Sequence, residues 1–196
     1  LLRLIGEAQH ELLIISPYFV PGPDMKKAFA DAHRRGVRIR ILTNSLASND
    51  APIAHVGYAR HREDLLKAGV ELYEMRSELA GFGSALGSST GSSAGKQGGS
   101  TGQSRAMLHS KVLVRDGQLL VIGSMNLDLR SQLQNTEIAL LIRSRELSRQ
   151  ASELIERSLN EGAWRVERES GGALVWRAPA GSGLQDARTE PDSSLG

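Results

Sequence analysis

Residues 109–126 read HSKVLVRDGQLLVIGSMN, and this stretch decides which kind of fold the chain can adopt. Two runs rich in Val, Leu and Ile, Leu108–Arg115 and Gln118–Ile122, flank the pair Asp116-Gly117. An Asp-Gly pair between two such runs is the strongest short-range signal of a β-hairpin. We therefore predict two neighbouring antiparallel strands here.

The first third of the chain predicts parallel strands beside this hairpin. Three short apolar runs bounded by turn residues predict strands at Leu12–Ile15, Val37–Ile41 and Val70–Tyr73. Amphipathic spacing between them predicts a helix over residues 23–35 and a second helix from Ile53 to Ala68. This β-α-β-α-β order implies parallel strands with right-handed crossovers. We therefore predict an α/β fold with a mixed, largely parallel central sheet flanked by helices.

The last third is expected to add a strand, a helix and a final strand. The strands are predicted at Asn135–Ile142 and near Leu174–Trp176. Ser144 is a favourable N-cap residue for the helix between them. The inward face of this helix is predicted to carry four apolar residues at helical spacing: Leu147, Ala151, Leu154 and Ile155.

Two segments have little to bury. Residues 80–105 are rich in Gly and Ser, which predicts a flexible loop inside the domain rather than a domain boundary. Residues 178–196 are predicted to be a polar, disordered tail. We therefore expect one domain over residues 1–177.

The composition of the 196 residues excludes several kinds of protein. The absence of Cys rules out a thiolate nucleophile, a thiolate metal site and a disulfide framework. The longest purely apolar runs, Leu12–Ile15 and Ile138–Ile142, are much shorter than the roughly 20 residues of a membrane-spanning helix. A net charge of +2 gives no argument for nucleic-acid binding. Because Leu1 falls in a predicted helix and is not Met, we expect the chain to be a piece of a longer protein.

The hairpin and the residues around it carry a candidate site for phosphate chemistry. His109 and Lys111 are two residues apart on a predicted strand, so both project to the same side. Ser124 and Asn126 follow the returning strand. An imidazole can attack phosphorus, and an ammonium and an amide can stabilise charge on the phosphate oxygens. Glu137, on the next strand, is a carboxylate that could fix the imidazole tautomer.

Several of these residues also have purely structural interpretations. Asp116 suits a hairpin turn regardless of any chemistry, and Ser124 could be only a turn residue. Glu137 could be an exposed strand carboxylate, and His55 could lie on a helix surface. The run Arg60-His61-Arg62 is predicted to be a solvated helix face.

The spacing of the candidate residues is similar to that of a known family. The pattern His-x-Lys, four residues, Asp, six residues, Gly-Ser-x-Asn, from residue 109 to 126, resembles the HKD motif of the phospholipase D superfamily at every position. Other stretches resemble the C-terminal half of bacterial cardiolipin synthases, in particular the C-type subgroup: residues 16–22, 43–46, 57–59, 65–74, 126–131 and 135–137.

The resemblance implies a fold, a mechanism and roles for particular residues. It implies a phospholipase D-like half-domain in which one HKD histidine forms a phosphohistidine and the histidine of a second HKD motif protonates the leaving group. It implies neither a metal nor another cofactor. The catalytic set carried over by the motif is His109, Lys111, Asp116, Ser124, Asn126 and Glu137, and the residues expected to bind substrate are Tyr18, Asn44 and His55.

The resemblance also implies the reaction and the partners. The expected reaction is phosphatidyl transfer between glycerophospholipids, at the surface of the bacterial cytoplasmic membrane, by a peripheral enzyme. Only one HKD motif is present, because His10, His33, His55 and His61 all lack Lys two residues on. The second HKD half is therefore expected in a missing N-terminal part of the same protein or in a homodimer mate.

Three alternatives remain open on the sequence. The first is a hydrolytic phospholipase D, in which water rather than an alcohol resolves the intermediate. The second is a metal-independent, homodimeric HKD nuclease, which the near-neutral charge disfavours because phosphate-backbone binding usually needs a basic surface. The third is a non-enzymatic half that binds lipid or a protein partner.

Overall fold

A computed structural model describes residues 1–48, 52–76, 108–124, 126–128 and 138–191. The described helices are α1 (Leu2–Gly6), α2 (Pro23–Arg34), α3 (Pro52–Ala59), α4 (Arg62–Lys67) and α5 (Arg145–Gly162). The described strands are β1 (Glu11–Ile15), β2 (Phe19–Val20), β3 (Arg38–Asn44), β4 (Val70–Met75), β5 (Val112–Arg115), β6 (Leu119–Gly123), β7 (Leu127–Asp128), β8 (Ala139–Arg143), β9 (Ala163–Arg168) and β10 (Leu174–Arg177).

An eight-stranded sheet runs through the molecule in the order β10-β9-β4-β3-β1-β5-β6-β8. The pairs β1-β3 and β3-β4 are parallel, and the other five pairs are antiparallel. The α/β class with a mixed sheet flanked by helices is thus confirmed. The parallel part is confined to the first third of the chain, so the sheet is not largely parallel, because β9 and the hairpin add antiparallel strands on both sides. A separate small sheet pairs β2 with β7 in parallel.

Side chains alternate between the two faces of the central strands and form two apolar clusters. On β1, Leu12 and Ile14 join the cluster under α1, α2 and α3, which includes Phe29. Leu13 and Ile15 join the cluster under α5. A strand buried on both faces must be apolar at every position, which explains the continuous hydrophobic run in the sequence. Burial of each such side chain contributes about 1.5–3 kcal/mol.

The Asp116-Gly117 hairpin is confirmed, and its turn explains the sequence. Asp116 and Gly117 both have positive φ, 53° and 59°. Asp tolerates this left-handed region better than most residues and Gly adopts it freely. The returning strand β6 is also in place, but the first strand starts at Val112 rather than at Leu108.

Two predicted helices differ in detail. The helix expected from Ile53 to Ala68 is divided into α3 and α4, and the N–H of His61 bonds the carbonyl of Tyr58 (2.8 Å) between them. In α5 the cap is confirmed, since the Leu147 N–H donates to Ser144 Oγ (3.2 Å). Its buried face is rotated from the prediction: Ile155 is buried, whereas Leu147 is 43% and Leu154 38% exposed.

Most of the predicted tail is packed against the sheet. Ala187 forms two backbone hydrogen bonds with Trp176, of 2.8 and 2.9 Å. Asp186 binds Arg177, and Glu190 reaches Arg62. Residues 178–191, which the sequence predicts to be disordered, thus lie against the fold, because their acidic side chains bind Arg residues on the sheet and on α4. The predicted Gly/Ser-rich loop at 80–105 lies outside the described residues.

Candidate active site

The strand ends place the motif at one edge of the sheet. Ile15, the last residue of β1, pairs with Val112, and Val112 pairs with Ile122 near the end of β6. The segment 109–111 therefore enters β5 at the edge where the parallel strands β1 and β3 end. Ligands of open α/β sheets bind at such carboxyl ends.

A pocket of about 720 Å³ lies at this edge. Its polar lining residues are His109, Ser110, Lys111 and Ser124. The rest of its lining is almost entirely aliphatic: Val112, Leu120, Ile122, Ala151, Leu154 and Ile155, with Gly123. The pocket thus offers a cationic, imidazole-bearing part and an apolar wall supplied by β6 and α5.

His109 and Lys111 do share this pocket, although they lie ahead of the strand. The His109 side chain is exposed and Lys111 is half-buried. Lys111 Nζ donates a hydrogen bond to the carbonyl oxygen of His109 (2.8 Å). This bond keeps the ammonium beside the residue that carries the imidazole, so an anionic group bound there meets both.

Ser124 lines the pocket, and its hydroxyl also has a structural role. Ser124 Oγ accepts a hydrogen bond from the N–H of Ile138 (3.1 Å), and the Ser124 N–H donates to the Ile138 carbonyl (2.9 Å). The preceding Gly123 lies so close to this point that an added Cβ would be 2.5 Å from the Ile138 oxygen. The Gly-Ser pair therefore lets β8 approach the end of β6.

Asn126 is placed outside the lining of this pocket. It is half-buried, and its Oδ1 atom is buried without a hydrogen-bond partner among the described residues. Leu127 pairs with Phe19, so Asn126 lies where the chain crosses to β2. The structure therefore brings together His109, Lys111 and Ser124, but not Asn126. Glu137 lies outside the described residues.

Asp116 lies at the opposite end of the hairpin from His109. Its carboxylate accepts hydrogen bonds from the backbone N–H groups of Gln9 (3.0 Å), His10 (2.7 Å) and Glu11 (2.9 Å). Partial burial raises the pKa of Asp116, but these N–H donors outweigh it and hold the pKa below its ordinary value. The structure thus places Asp116 outside the lining of the pocket, in contacts that suit the structural alternative, and its catalytic role stays a prediction.

None of the three predicted substrate-binding residues lines the pocket. Asn44 is buried and bonds the main chain of Leu108 and Pro17. His55 is buried beside Arg62 and Glu190. Tyr18 is half-buried, and its carbonyl accepts a hydrogen bond from Ser16 Oγ (2.7 Å). Asn44 and His55 are thus buried among protein partners away from this pocket, and substrate binding by Tyr18, Asn44 and His55 stays a prediction.

Sequence reasoning missed the apolar wall of the pocket. Leu154 was expected in the core, and Ile122 was expected only as a strand residue. The sequence did contain a signal for this wall: the apolar residues of α5, which include Leu147, Leu154 and Ile155, cover more of the helix surface than one buried face needs.

None of the helices in the described part of the chain has both the length and the hydrophobicity of a membrane-spanning segment.

Solved structures with a similar fold define the class of protein. Nuc, a phospholipase D family member from Salmonella typhimurium, matches with a TM-score of 0.55 and 21% identity, over 82% of this chain and 85% of that chain. NucT from Helicobacter pylori matches with a TM-score of 0.58 and 16% identity, over 83% and 86%. At this level of identity the likeness shows the fold, which is that of phospholipase D-type proteins.

Sequence comparison then gives the family. The sequence model of the family described as "Cardiolipin synthase, PLD-like domain" matches residues 1–159, and the chain belongs to this family. Cardiolipin synthase C from Escherichia coli is 38% identical over 176 residues, which are 90% of this chain and 35% of that protein. Cardiolipin synthase A from Buchnera aphidicola is 30% identical over 84% of this chain and 29% of that protein. The chain spans about a third of the length of these relatives, and the predicted resemblance is confirmed.

Proposed function

We propose that this chain supplies one half of the active site of a phosphatidyltransferase that joins glycerophospholipids, as the cardiolipin synthase relatives are named to do. The observation that carries the proposal is the pocket in which His109 and Lys111 meet an aliphatic wall. A phospholipid has the matching pair of features, because its anionic phosphodiester is attached to acyl chains.

Two imidazoles divide the work in the proposed reaction. One imidazole nitrogen attacks phosphorus, and the bond from phosphorus to the leaving oxygen breaks as the second imidazolium gives that oxygen its proton. The second imidazole then takes the proton of an acceptor alcohol, whose oxygen attacks phosphorus and releases the first imidazole. His109 is one member of this pair, and the second HKD half supplies the other. The Lys111 ammonium stabilises negative charge on the phosphoryl oxygens.

The outer side of the sheet, formed by strand β8 beside the pocket, is the surface that we assign to contact with the second HKD half of the active site. On the edge strand β8, Leu140 is 62% and Leu141 56% exposed, and Ile138 just before it is 78% exposed. Leu140 pairs with the pocket residue Ile122, so this apolar edge is continuous with the pocket. Exposed apolar side chains on the outermost strand of a sheet mark an interaction surface. A second imidazole must reach the same phosphate, and a partner on this edge would supply it.

The aliphatic wall also favours phospholipid over nucleic acid. Leu154 and Ile122 expose hydrophobic surface in the pocket, whereas binding to a nucleic-acid backbone is mainly electrostatic. The net charge of the chain is only +2. We therefore propose peripheral action at the bacterial cytoplasmic membrane, with an acyl chain of the substrate against this wall.

Substitution of Leu154 in the whole protein tests the proposal. Leu154→Gln should raise the KM for long-chain phosphatidylglycerol about tenfold, since loss of apolar contact worth about 1.5 kcal/mol corresponds to that factor. Phosphatidyl transfer between labelled lipids in vesicles is the measurement. Leu147→Gln is the matched control, because Leu147 is exposed on the same helix but does not line the pocket.

The products formed from labelled lipid, together with a separate DNA-cleavage assay, distinguish the rival reactions. A free phosphatidic acid product in place of a joined phospholipid would indicate hydrolysis by water. Metal-independent cleavage of DNA, unaffected by Leu154→Gln, would indicate the nuclease and would overturn the proposal. Equal KM values for the Leu154 and Leu147 variants would remove the role of the apolar wall.

A further inference from the structure

Asn44, at the end of β3, has every hydrogen-bonding position of its amide occupied. Asn44 Oδ1 accepts from the N–H of Leu108 (2.9 Å), and Nδ2 donates to the carbonyls of Leu108 (3.3 Å) and Pro17 (3.4 Å). Ser48 Oγ donates to Oδ1 as well (3.4 Å). Asn44 is 1% exposed, so no part of it remains for a substrate.

This amide holds both main-chain groups of the residue before His109. A residue whose N–H and C=O are bonded to one side chain cannot pair with a neighbouring strand. This explains why Leu108 itself is not part of β5, which begins at Val112. The Leu108 side chain is 1% exposed in the apolar cluster under α5, which gives the segment a second anchor. One residue later, His109 emerges into the pocket.

We propose that Asn44 is a positioning residue that fixes the imidazole of His109 for phosphoryl transfer. The inference rests on the proposed function, since it requires His109 to act on phosphorus. Catalytic groups must be held within a fraction of an ångström, and a displacement of about 1 Å can cost roughly 10²-fold in rate. Apart from the Lys111 bond to the His109 carbonyl, which comes from a half-buried side chain of the same segment, the Asn44–Leu108 contact is the tether directly before His109 in the described part of the chain.

Only an amide meets the requirements of this tether. It must accept from one N–H and donate to two carbonyls at once, and the network with Ser48 fixes which end of the amide points where. Ser48 is held in turn, because its Oγ accepts a hydrogen bond from the Ser45 N–H (2.8 Å), and its single proton is shared between Asn44 Oδ1 and the Met75 carbonyl (3.2 Å). A carboxylate in the place of Asn44 would face the Leu108 and Pro17 carbonyls without a proton to donate.

Asn44→Asp, made in the whole protein, tests the inference by separating kcat from KM. We expect kcat for phosphatidyl transfer to fall about 10²-fold while KM for the phospholipid changes less than about threefold, because His109 is misplaced and the pocket wall is intact. Hydrogen exchange at the Leu108 amide is the second readout. Asn44→Ala removes its acceptor, so this amide should exchange faster while the amides of β1 and β3 stay protected.

Two further variants keep the test decisive. Thr43→Val is the matched control: Thr43 Oγ1 donates to the same Pro17 carbonyl (3.3 Å) in an equally buried place, and the described hydrogen bonds to Leu108 come from Asn44 and not from Thr43. It should lower stability and leave kcat within about threefold. Ser48→Ala loosens the Asn44 amide without removing it, and it should lower kcat severalfold at unchanged KM even if Asn44→Asp does not fold.

The outcomes distinguish this inference from the proposed function. A raised KM with unchanged kcat in Asn44→Asp would mean that Asn44 binds substrate, and it would overturn the inference. Equal losses in Asn44→Asp and Thr43→Val, in proportion to the folded fraction, would reduce Asn44 to a structural residue. If His109→Ala abolishes transfer while Asn44→Asp keeps full kcat, the positioning role fails alone. If His109→Ala keeps full activity, the proposed function fails and this inference fails with it.

Discussion

Individual residues of the motif have separate physical tasks. His109 and Lys111 face the pocket, Gly123 and Ser124 let β8 approach β6, and Asp116 ties the hairpin to the chain entering β1. The pattern from residue 109 to residue 126 therefore contains residues that line the pocket and residues that hold strands together. The residue types of a family motif need not all lie in the binding pocket.

Asp116→Ala should lower stability and leave catalysis per folded molecule unchanged. The substitution removes the acceptor for three backbone N–H groups, and hydrogen bonds to a charged group are worth about 1.5–3 kcal/mol. We expect the free energy of unfolding, measured by urea denaturation, to fall by about 2 kcal/mol. Asp116→Asn should be intermediate, because Asn keeps one acceptor and tolerates the positive φ.

The transfer rate of Asp116→Ala, divided by the folded fraction, tests the expectation that catalysis per folded molecule is unchanged. A rate lowered a thousandfold at full folding would return Asp116 to the catalytic set. A stability equal to that of the unsubstituted protein would show that the three hydrogen bonds contribute nothing.

At the scale of elements, the sequence predicts correctly those turns and helix ends that neighbouring residues determine, and it fails where a distant residue changes the local structure. The hairpin turn at Asp116-Gly117 and the Ser144 cap are dictated by neighbouring residues, and both are confirmed. The strand expected from Leu108 starts at Val112, and Leu108 itself is kept out of it by Asn44, which lies 64 residues away in sequence. No pattern around residue 108 contains that information.

The rotation of α5 has a similar origin. Its apolar stripe predicts amphipathicity, but the packing of the helix on the sheet decides which part of the stripe is buried. The helix buries Ile155 and Leu159 and leaves Leu154 at the pocket. Likewise the predicted helix 53–68 divides near His61, and Arg62, expected on a solvated helix face, is buried because Glu74 binds it (2.7 Å).

At the scale of the whole molecule, a buried charged cluster joins distant parts of the chain. Glu74, fully buried on β4, accepts hydrogen bonds from Tyr58 Oη (2.9 Å), Arg62 Nε (2.7 Å) and Trp176 Nε1 (2.9 Å). The Arg62 guanidinium also lies 5.0 and 5.1 Å from the ring centres of Tyr58 and Trp176. Glu190, from the segment predicted to be disordered, forms a second ion pair with Arg62 (2.5 Å). The C-terminal segment is therefore part of the folded unit.

Glu190→Gln should destabilise the protein at neutral pH and not at low pH. Burial raises the pKa of Glu190, but the hydrogen bonds from His55 and Arg62 outweigh it and lower the pKa to about 2, from an ordinary value of 4.5. A carboxyl whose pKa is lower in the folded state stabilises that state above its unfolded pKa. This contribution, on the order of 2 kcal/mol, is lost as the pH falls from 4.5 towards 2.

Denaturation at several pH values measures this effect. The difference between Glu190→Gln and the unsubstituted protein should be constant above about pH 5 and should shrink towards zero at pH 2. Glu153→Gln is the control, because Glu153 forms an exposed ion pair with Arg149 that solvent screens. A difference for Glu190→Gln that does not depend on pH would contradict the assigned ion pair.

The central claim is that His109 takes part in phosphatidyl transfer, and the most direct test is the transfer rate of His109→Ala in the whole protein. His10→Ala is the control, because His10 is an exposed histidine outside the pocket. We predict a loss of about 10⁴-fold or more for His109→Ala, as for other covalent catalysts, and near-normal transfer for His10→Ala. Transfer by His109→Ala within a few fold of the unsubstituted rate would contradict it.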